Sequence, residues 1–342
     1  MSPALPAPVA RVVDGAVGLI WNRTERRPRL PVRLALVLVV AVLLSRAVSV
    51  VVRLLTDNYH GGVLVGLLPG ADLGTVLRVV SSLAAFVGVA AVVALAGVLF
   101  DRRRLSDFGF RVDRSWWADC AFGVALGLAL MLGVFLLGVA AGWVRIVGIA
   151  YAASGFSLLG TAAGSLVVFV AVSVAEELAV RGYLLTNLAE GLRVGPVTGR
   201  AALGLAVLLT SGLFGLLHAG NPNATLVSTA TIALAGVFLA AGYALTGELA
   251  LPLGLHFSWN YAQGVLFGFP VSGIQLGVAV VRTRETGPDL VTGGRFGPEA
   301  GLLGVAAILV GVAAIAWWAR ARTGRLALAE TVWTPELRRR ER

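Results

Sequence analysis

Apolar and polar positions alternate along this chain on the scale of whole membrane crossings. Eight runs stay apolar for about 20 residues, the length a helix needs to cross a bilayer. They are about Leu34–Leu55, Val79–Phe100, Trp116–Ala141, Ser157–Leu185, Ala201–His218, Ala224–Leu245, Leu251–Phe269 and Ala300–Trp318. Short stretches rich in Arg, Gly and Pro separate them. The pattern predicts an all-α fold, a polytopic membrane helix bundle of about eight transmembrane helices. Residues 1–33 read as an arginine-rich N-terminal segment, 34–320 as the bundle and 321–342 as a basic tail. The N-terminal segment lacks an apolar core long enough for a signal peptide. Its apolar patch Val12–Trp21 suits an amphipathic helix lying at the interface. Trp116, Trp117, Trp317 and Trp318 stand at run ends as interfacial anchors. No internal repeat with a clear period is present.

Composition sharpens this picture. Of 342 residues, 58% are hydrophobic and 13% charged, with a mean hydropathy of +0.87. A soluble globule of this size could not cover its surface with so few charges, and disorder is excluded by the same arithmetic. The net charge is +10, and all 28 basic residues are arginines. They stand between and beside the apolar runs, which is the positive-inside pattern of membrane topology, not a nucleic-acid patch. Twenty fall on one side, in the N-terminal segment, alternate loops and the tail, against four on the other. That bias places both termini in the cytoplasm, in agreement with an even number of spans. The one cysteine, Cys120, lies inside an apolar run and excludes an internal disulfide. An Ala/Gly/Val-rich chain without lysine suggests a G+C-rich genome and a bacterial plasma membrane.

Ionisable groups inside a bilayer are costly and are functional candidates by default. Three groupings qualify. Glu176-Glu177 and Arg181 lie in the fourth run. Adjacent carboxylates in an apolar helix must be paired or take up a proton, and such a group is a natural general base. Glu177 and Arg181 are i and i+4 and can pair, which leaves Glu176, about 100° away on the wheel, as the freer carboxylate. Phe214 and His218 close the fifth run. His256 and Asn260, again i and i+4, project side by side from the seventh. A carboxylate, two imidazoles and an amide are the parts of a water-activating hydrolase. Glu176, His218 and His256 are equally a candidate ligand set for Zn²⁺, although H-E-x-x-H is absent. His60 reads as a solvated loop histidine, and Asp72, Asp101, Asp107 and Asp119 read as interfacial. Gly236, Ala240 and Ala241 predict close helix contact in the sixth run.

Glu-Glu-x-x-x-Arg, Phe-x-x-x-His and His-x-x-x-Asn, in that order on successive apolar runs, resemble the CPBP family. This is the CAAX prenyl protease type II and bacteriocin-processing group of intramembrane proteases. The similar region covers about 115–270. The resemblance implies Glu176 as the catalytic glutamate, His218 as the histidine that helps hold the water, and His256 with Asn260 as the oxyanion-stabilising pair. Glu177 and Arg181 match its supporting residues. Val180 stands where the family often has an aromatic residue. The family is described both as metalloproteases and as metal-independent glutamic proteases, so the implied cofactor is none or one zinc. The implied activity is endoproteolysis of a membrane-associated protein or peptide. Two alternatives are a non-catalytic scaffold or immunity protein and a proton-coupled transporter. The transporter would be expected to show repeat symmetry. Nucleic acid is not an expected partner, and the sequence leaves the oligomeric state open.

Overall fold

The computed structural model describes residues 18, 20–58, 73–154 and 156–334. His60, Asp72 and most of the Val12–Trp21 patch lie outside them. The N-terminal segment enters as a two-residue hairpin, β1 (Trp21–Asn22) and β2 (Arg27–Pro28), before α1 (Leu30–Asn58). There follow α2 (Leu73–Leu99), α3 (Arg114–Ala140), β3 (Val144–Ala152) and α4, continuous over Leu158–Gly191. Then come α5 (Gly199–Leu217), α6 (Leu226–Thr246), α7 (Ala250–Tyr261), β4 (Val278–Glu285) and α8 (Leu302–Thr323).

Local chemistry sets the helix starts. Asp113 accepts from Trp116 N–H at 2.9 Å ahead of α3, and Ser157 accepts from Gly160 N–H at 3.2 Å ahead of α4. Thr225 and Ser228 form a reciprocal capping box before α6. Gly247 ends α6 with φ 72°, a left-handed turn that disfavours a side chain. Among the described residues, seven helices are long and apolar enough to cross a membrane. Many of their leucines and valines face outward, Leu38, Leu43, Leu99 and Leu137 among them, as lipid solvation requires. The chain is a multi-pass membrane protein.

The seventh expected span departs from the prediction. Helix α7 has 12 residues and gains only five more as π turns, Ala262–Leu266. The reason is its position. It is buried along nearly its whole length between α3, α4 and α6 and meets little lipid. Its contact with α3 is backbone to backbone. A Cβ on Gly123 would lie 2.3 Å from Leu251 O, one on Gly127 2.7 Å from Leu255 O, and one on Gly254 2.3 Å from Cys120 O. The close contact expected in the sixth run is also present, with Gly236 against Ser211 of α5.

Two polar ends cap the bundle. At one, the N-terminal segment, the α2–α3 connection and the end of α4 meet in a buried ion network. Arg27 and Arg103 both pair with Glu190, Arg27 also binds Glu25 at 2.8 Å, and Arg33 pairs with Asp101. Asp101 and Asp119 are therefore buried partners rather than interfacial groups. Asp119 accepts from Trp318 Nε1 and Arg322, each at 2.7 Å. At the other end β3 and β4 pair antiparallel, with an irregularity between Ile146 and Gly148. Both strands lie in the connections between apolar runs, and each is rich in β-branched residues.

Candidate active site

Helix α4 carries Glu176 and Glu177 at the point where its hydrogen-bond ladder changes. The helix is regular to Glu177 and continues as π turns over Leu178–Leu185. Widened turns expose carbonyls, and two side chains satisfy them: Thr186 Oγ1 donates to Arg181 O at 3.2 Å and Asn187 Nδ2 to Tyr183 O at 3.0 Å. A second π segment, Ala262–Leu266, begins two residues after Asn260. Each irregular stretch adjoins one of the sequence motifs.

The expected pair is present. Arg181 Nη1 donates to Glu177 Oε1 at 2.8 Å, and both side chains are fully buried. Arg181 Nη2 donates to Gly236 O of α6 at 3.1 Å, and its guanidinium lies 4.5 Å from the centroid of the Phe214 ring. The same Glu177 oxygen accepts from His256 Nδ1 at 2.9 Å. One carboxylate thus ties α4 to α7, and its arginine ties α4 to α5 and α6. With Nδ1–H committed, the functional nitrogen of His256 is Nε2. It lies 3.9 Å from Glu176 Oε2, too far for a direct hydrogen bond and suited to a bridging water. Glu176 differs from its neighbour as the helix wheel predicts. Its side chain keeps 25% exposure where Glu177 has none, and it lacks the arginine and histidine hydrogen bonds that hold Glu177 Oε1.

His218 is the C-cap of α5. Its Nδ1 is 2.8 Å from Phe214 O, so Nδ1 carries the proton and Nε2 is the acceptor. The Phe214 ring stands between the two imidazoles, 4.6 Å from the His218 centroid and 6.3 Å from that of His256. The aromatic residue of the second motif therefore spaces the two histidines and covers the arginine. Glu176, His218, His256 and Asn260 all line one cavity of about 660 Å³. Its remaining walls are largely apolar, as in most sites that bind organic ligands. Asn260 has no side-chain hydrogen bond among the described residues, so its amide is free to bind a substrate oxygen.

Glu176, His218 and His256 do not assemble as a metal cage. Among the described residues, no three His, Cys, Asp or Glu side chains gather closely enough to hold an ion. Both Nδ1 atoms are hydrogen-bonded within the protein, which leaves each Nε2 as the ring nitrogen available to the cavity.

Comparison with known families agrees with this geometry. Residues 158–262 match the family described as Type II CAAX prenyl endopeptidase Rce1-like. No curated protein and no solved structure matches the chain. The Rce1-like segment starts with α4 and ends just past Asn260, so it contains all three motifs. Rce1-like proteins are a protease family.

Sequence reading missed one group that lines the same cavity. Glu299, on the turn before α8, is buried and accepts from Gln263 Nε2 and from Ser272 N–H, the latter at 2.5 Å. Gln263 in turn accepts from Trp259 Nε1 at 2.8 Å. Burial raises the Glu299 carboxyl to about 7, against the opposing pull of these hydrogen bonds. A lone Glu in a Gly/Pro-rich connection gives no periodic signal, and only the fold brings it here.

Proposed function

We propose that the chain is an intramembrane endopeptidase that hydrolyses a peptide bond of a membrane-associated protein or peptide with water activated by Glu176. One observation carries the reading. The two carboxylates of the first motif are held in different states, Glu177 locked by Arg181 and His256 and Glu176 left free at the cavity wall. A structural ion pair needs only the first; the second is what a reaction uses.

The chemistry follows from the positions. Glu176 accepts a proton from water as the water oxygen bonds to the carbonyl carbon of the scissile peptide. His218 Nε2 accepts the hydrogen bond that orients this water. The carbonyl oxygen becomes an oxyanion beside the Asn260 amide. In its doubly protonated form, His256 keeps Nδ1–H on Glu177 and presents Nε2–H to the same oxygen. The tetrahedral intermediate then breaks its C–N bond as protonated Glu176 returns the proton to the leaving nitrogen. One carboxyl and one amine terminus result.

The test is a quantitative survey of peptide termini in membranes of cells carrying wild type or Glu176→Gln at equal protein levels. The amide preserves shape and removes the base, so the dependent termini should fall by roughly 100-fold or more. Unchanged termini with a folded variant would sink the hydrolase reading. Liposome flux measurements would then test the transporter alternative.

A further inference from the structure

The cavity has a direction. Helix α4 runs from the β3–β4 end of the molecule towards the buried ion network. Its residues Thr161, Ser165, Val168, Val172 and Glu176 all line the cavity. Their spacing of three and four places them on one face, and at 1.5 Å per residue the stripe is about 22 Å long. The cavity therefore follows α4 from its first turn down to the carboxylate. The other helices contribute residues from the near end to about their middles, with Val79 and Phe86 from α2, Ile232 and Leu239 from α6 and Ile308 from α8. At its far end the lining includes Asn221, Ile274 and Gln275, of which Ile274 and Gln275 are exposed. Asn221 Nδ2 donates to Ser272 O at 3.1 Å, which fixes the turn after His218 to the rim.

Towards the arginine-rich end the lining stops at Val180 and Leu255. Below that level the bundle is solid. Arg181, Tyr183, Leu185, Thr186 and Ala189 of α4 are each at most 2% exposed. Tyr243 of α6 is hydrogen-bonded to Thr186 at 2.9 Å. Beneath them lies the network of Arg27, Arg33, Asp101, Arg103 and Glu190.

We infer that polypeptide reaches Glu176 from the face opposite the arginine-rich end. Because arginine-rich segments stay in the cytoplasm, the substrates are segments presented on the outer side of the membrane. The first statement concerns access and stands by itself; the second rests on the hydrolase reading.

Single-cysteine labelling decides access without needing activity. In a Cys120→Ser background, Gln275→Cys marks the rim, Ser165→Cys the cavity wall and Arg104→Cys the opposite face. Ile274→Cys replaces Gln275→Cys should that variant fail to fold. The probe is a sulfonated, membrane-impermeant maleimide, applied to intact and then permeabilised cells. The rim and wall cysteines should react in intact cells, the rim at least tenfold faster than Arg104→Cys, which should react only after permeabilisation. A rim cysteine that reacts only after permeabilisation overturns the inference. So does a wall cysteine that reacts from neither side. Glu176-dependent termini in outer segments would support the second statement, and termini confined to cytoplasmic segments would overturn it. Outside labelling with no Glu176-dependent termini would leave the access route standing and remove the hydrolase reading alone.

Discussion

The two ends of the bundle use the same kinds of residue to opposite effect. At the arginine-rich end, the buried Arg27 and Arg103 share the carboxylate of Glu190, with Glu25 and Asp101 as further acidic partners of the network, and together they fasten the N-terminal segment to α4. At the cavity end, Glu176, His218 and Asn260 sit against open space with hydrogen-bonding capacity left over. Between the ends, Glu177 and Arg181 are a buried pair that also orients a histidine. Matched buried charge holds a structure in register, whereas unmatched polar groups at a cavity are available to a ligand. Sequence composition treats both as polar residues near apolar runs, and only the contacts separate them.

The largest expected effect breaks the closed end. Glu190→Ala leaves two buried arginines without their shared partner, and removing one side of a buried pair costs about 3–5 kcal/mol. Thermal unfolding in detergent should show a large loss. Asn260→Ala should shift stability by less than about 0.5 kcal/mol while lowering proteolysis by roughly 10²–10³-fold, the usual effect of deleting an oxyanion donor. Equal thermal losses in the two variants would erase the contrast between the ends.

An intermediate effect is expected at the α3–α7 contact. Gly127→Val would place a side chain where a Cβ alone already lies 2.1 Å from Ser258 Oγ. Overpacking of this kind costs about 1–3 kcal/mol. Because α7 carries His256, activity should fall along with stability. A variant that unfolds at a lower temperature yet cleaves normally would show that α7 is positioned by something other than this contact.

The smallest effect is on pH dependence. Burial raises Glu299 to about 7, and it raises Glu248, which accepts from Arg111 N–H at 3.2 Å, to about 7 as well. Both start from an ordinary value of 4.5. Between these values the folded protein holds protons that the unfolded chain has lost, so stability falls as pH rises through this window. The melting temperature should drift down between about pH 5 and 8. Glu299→Gln should flatten the drift, and a slope unchanged by it would locate the effect elsewhere.

Much of this was readable beforehand. Seven of the eight runs are helices long enough to span, and Glu177 with Arg181 form the expected i, i+4 pair. Helical periodicity is local, so spacing alone reveals it. The shortness of α7 was not readable, because a helix buried in protein has the same apolar composition as one buried in lipid. The β3–β4 pairing and the Glu299–Gln263 contact join residues far apart in sequence, which no local pattern encodes. Gly123-Val-Ala-Leu-Gly127 is a G-x-x-x-G pattern, and it is the local signal of the close α3–α7 contact.

The arginine clasp also dictates an order of events during synthesis. Arg27 finds Glu190 across 163 positions and Arg33 finds Asp101 across 68, so these arginines are made well before their partners. Until α4 has been made, Arg27 lacks its Glu190 partner, whereas Arg33 needs only the α2–α3 connection that carries Asp101. The clasp as a whole can close only once the chain is in place through the end of α4.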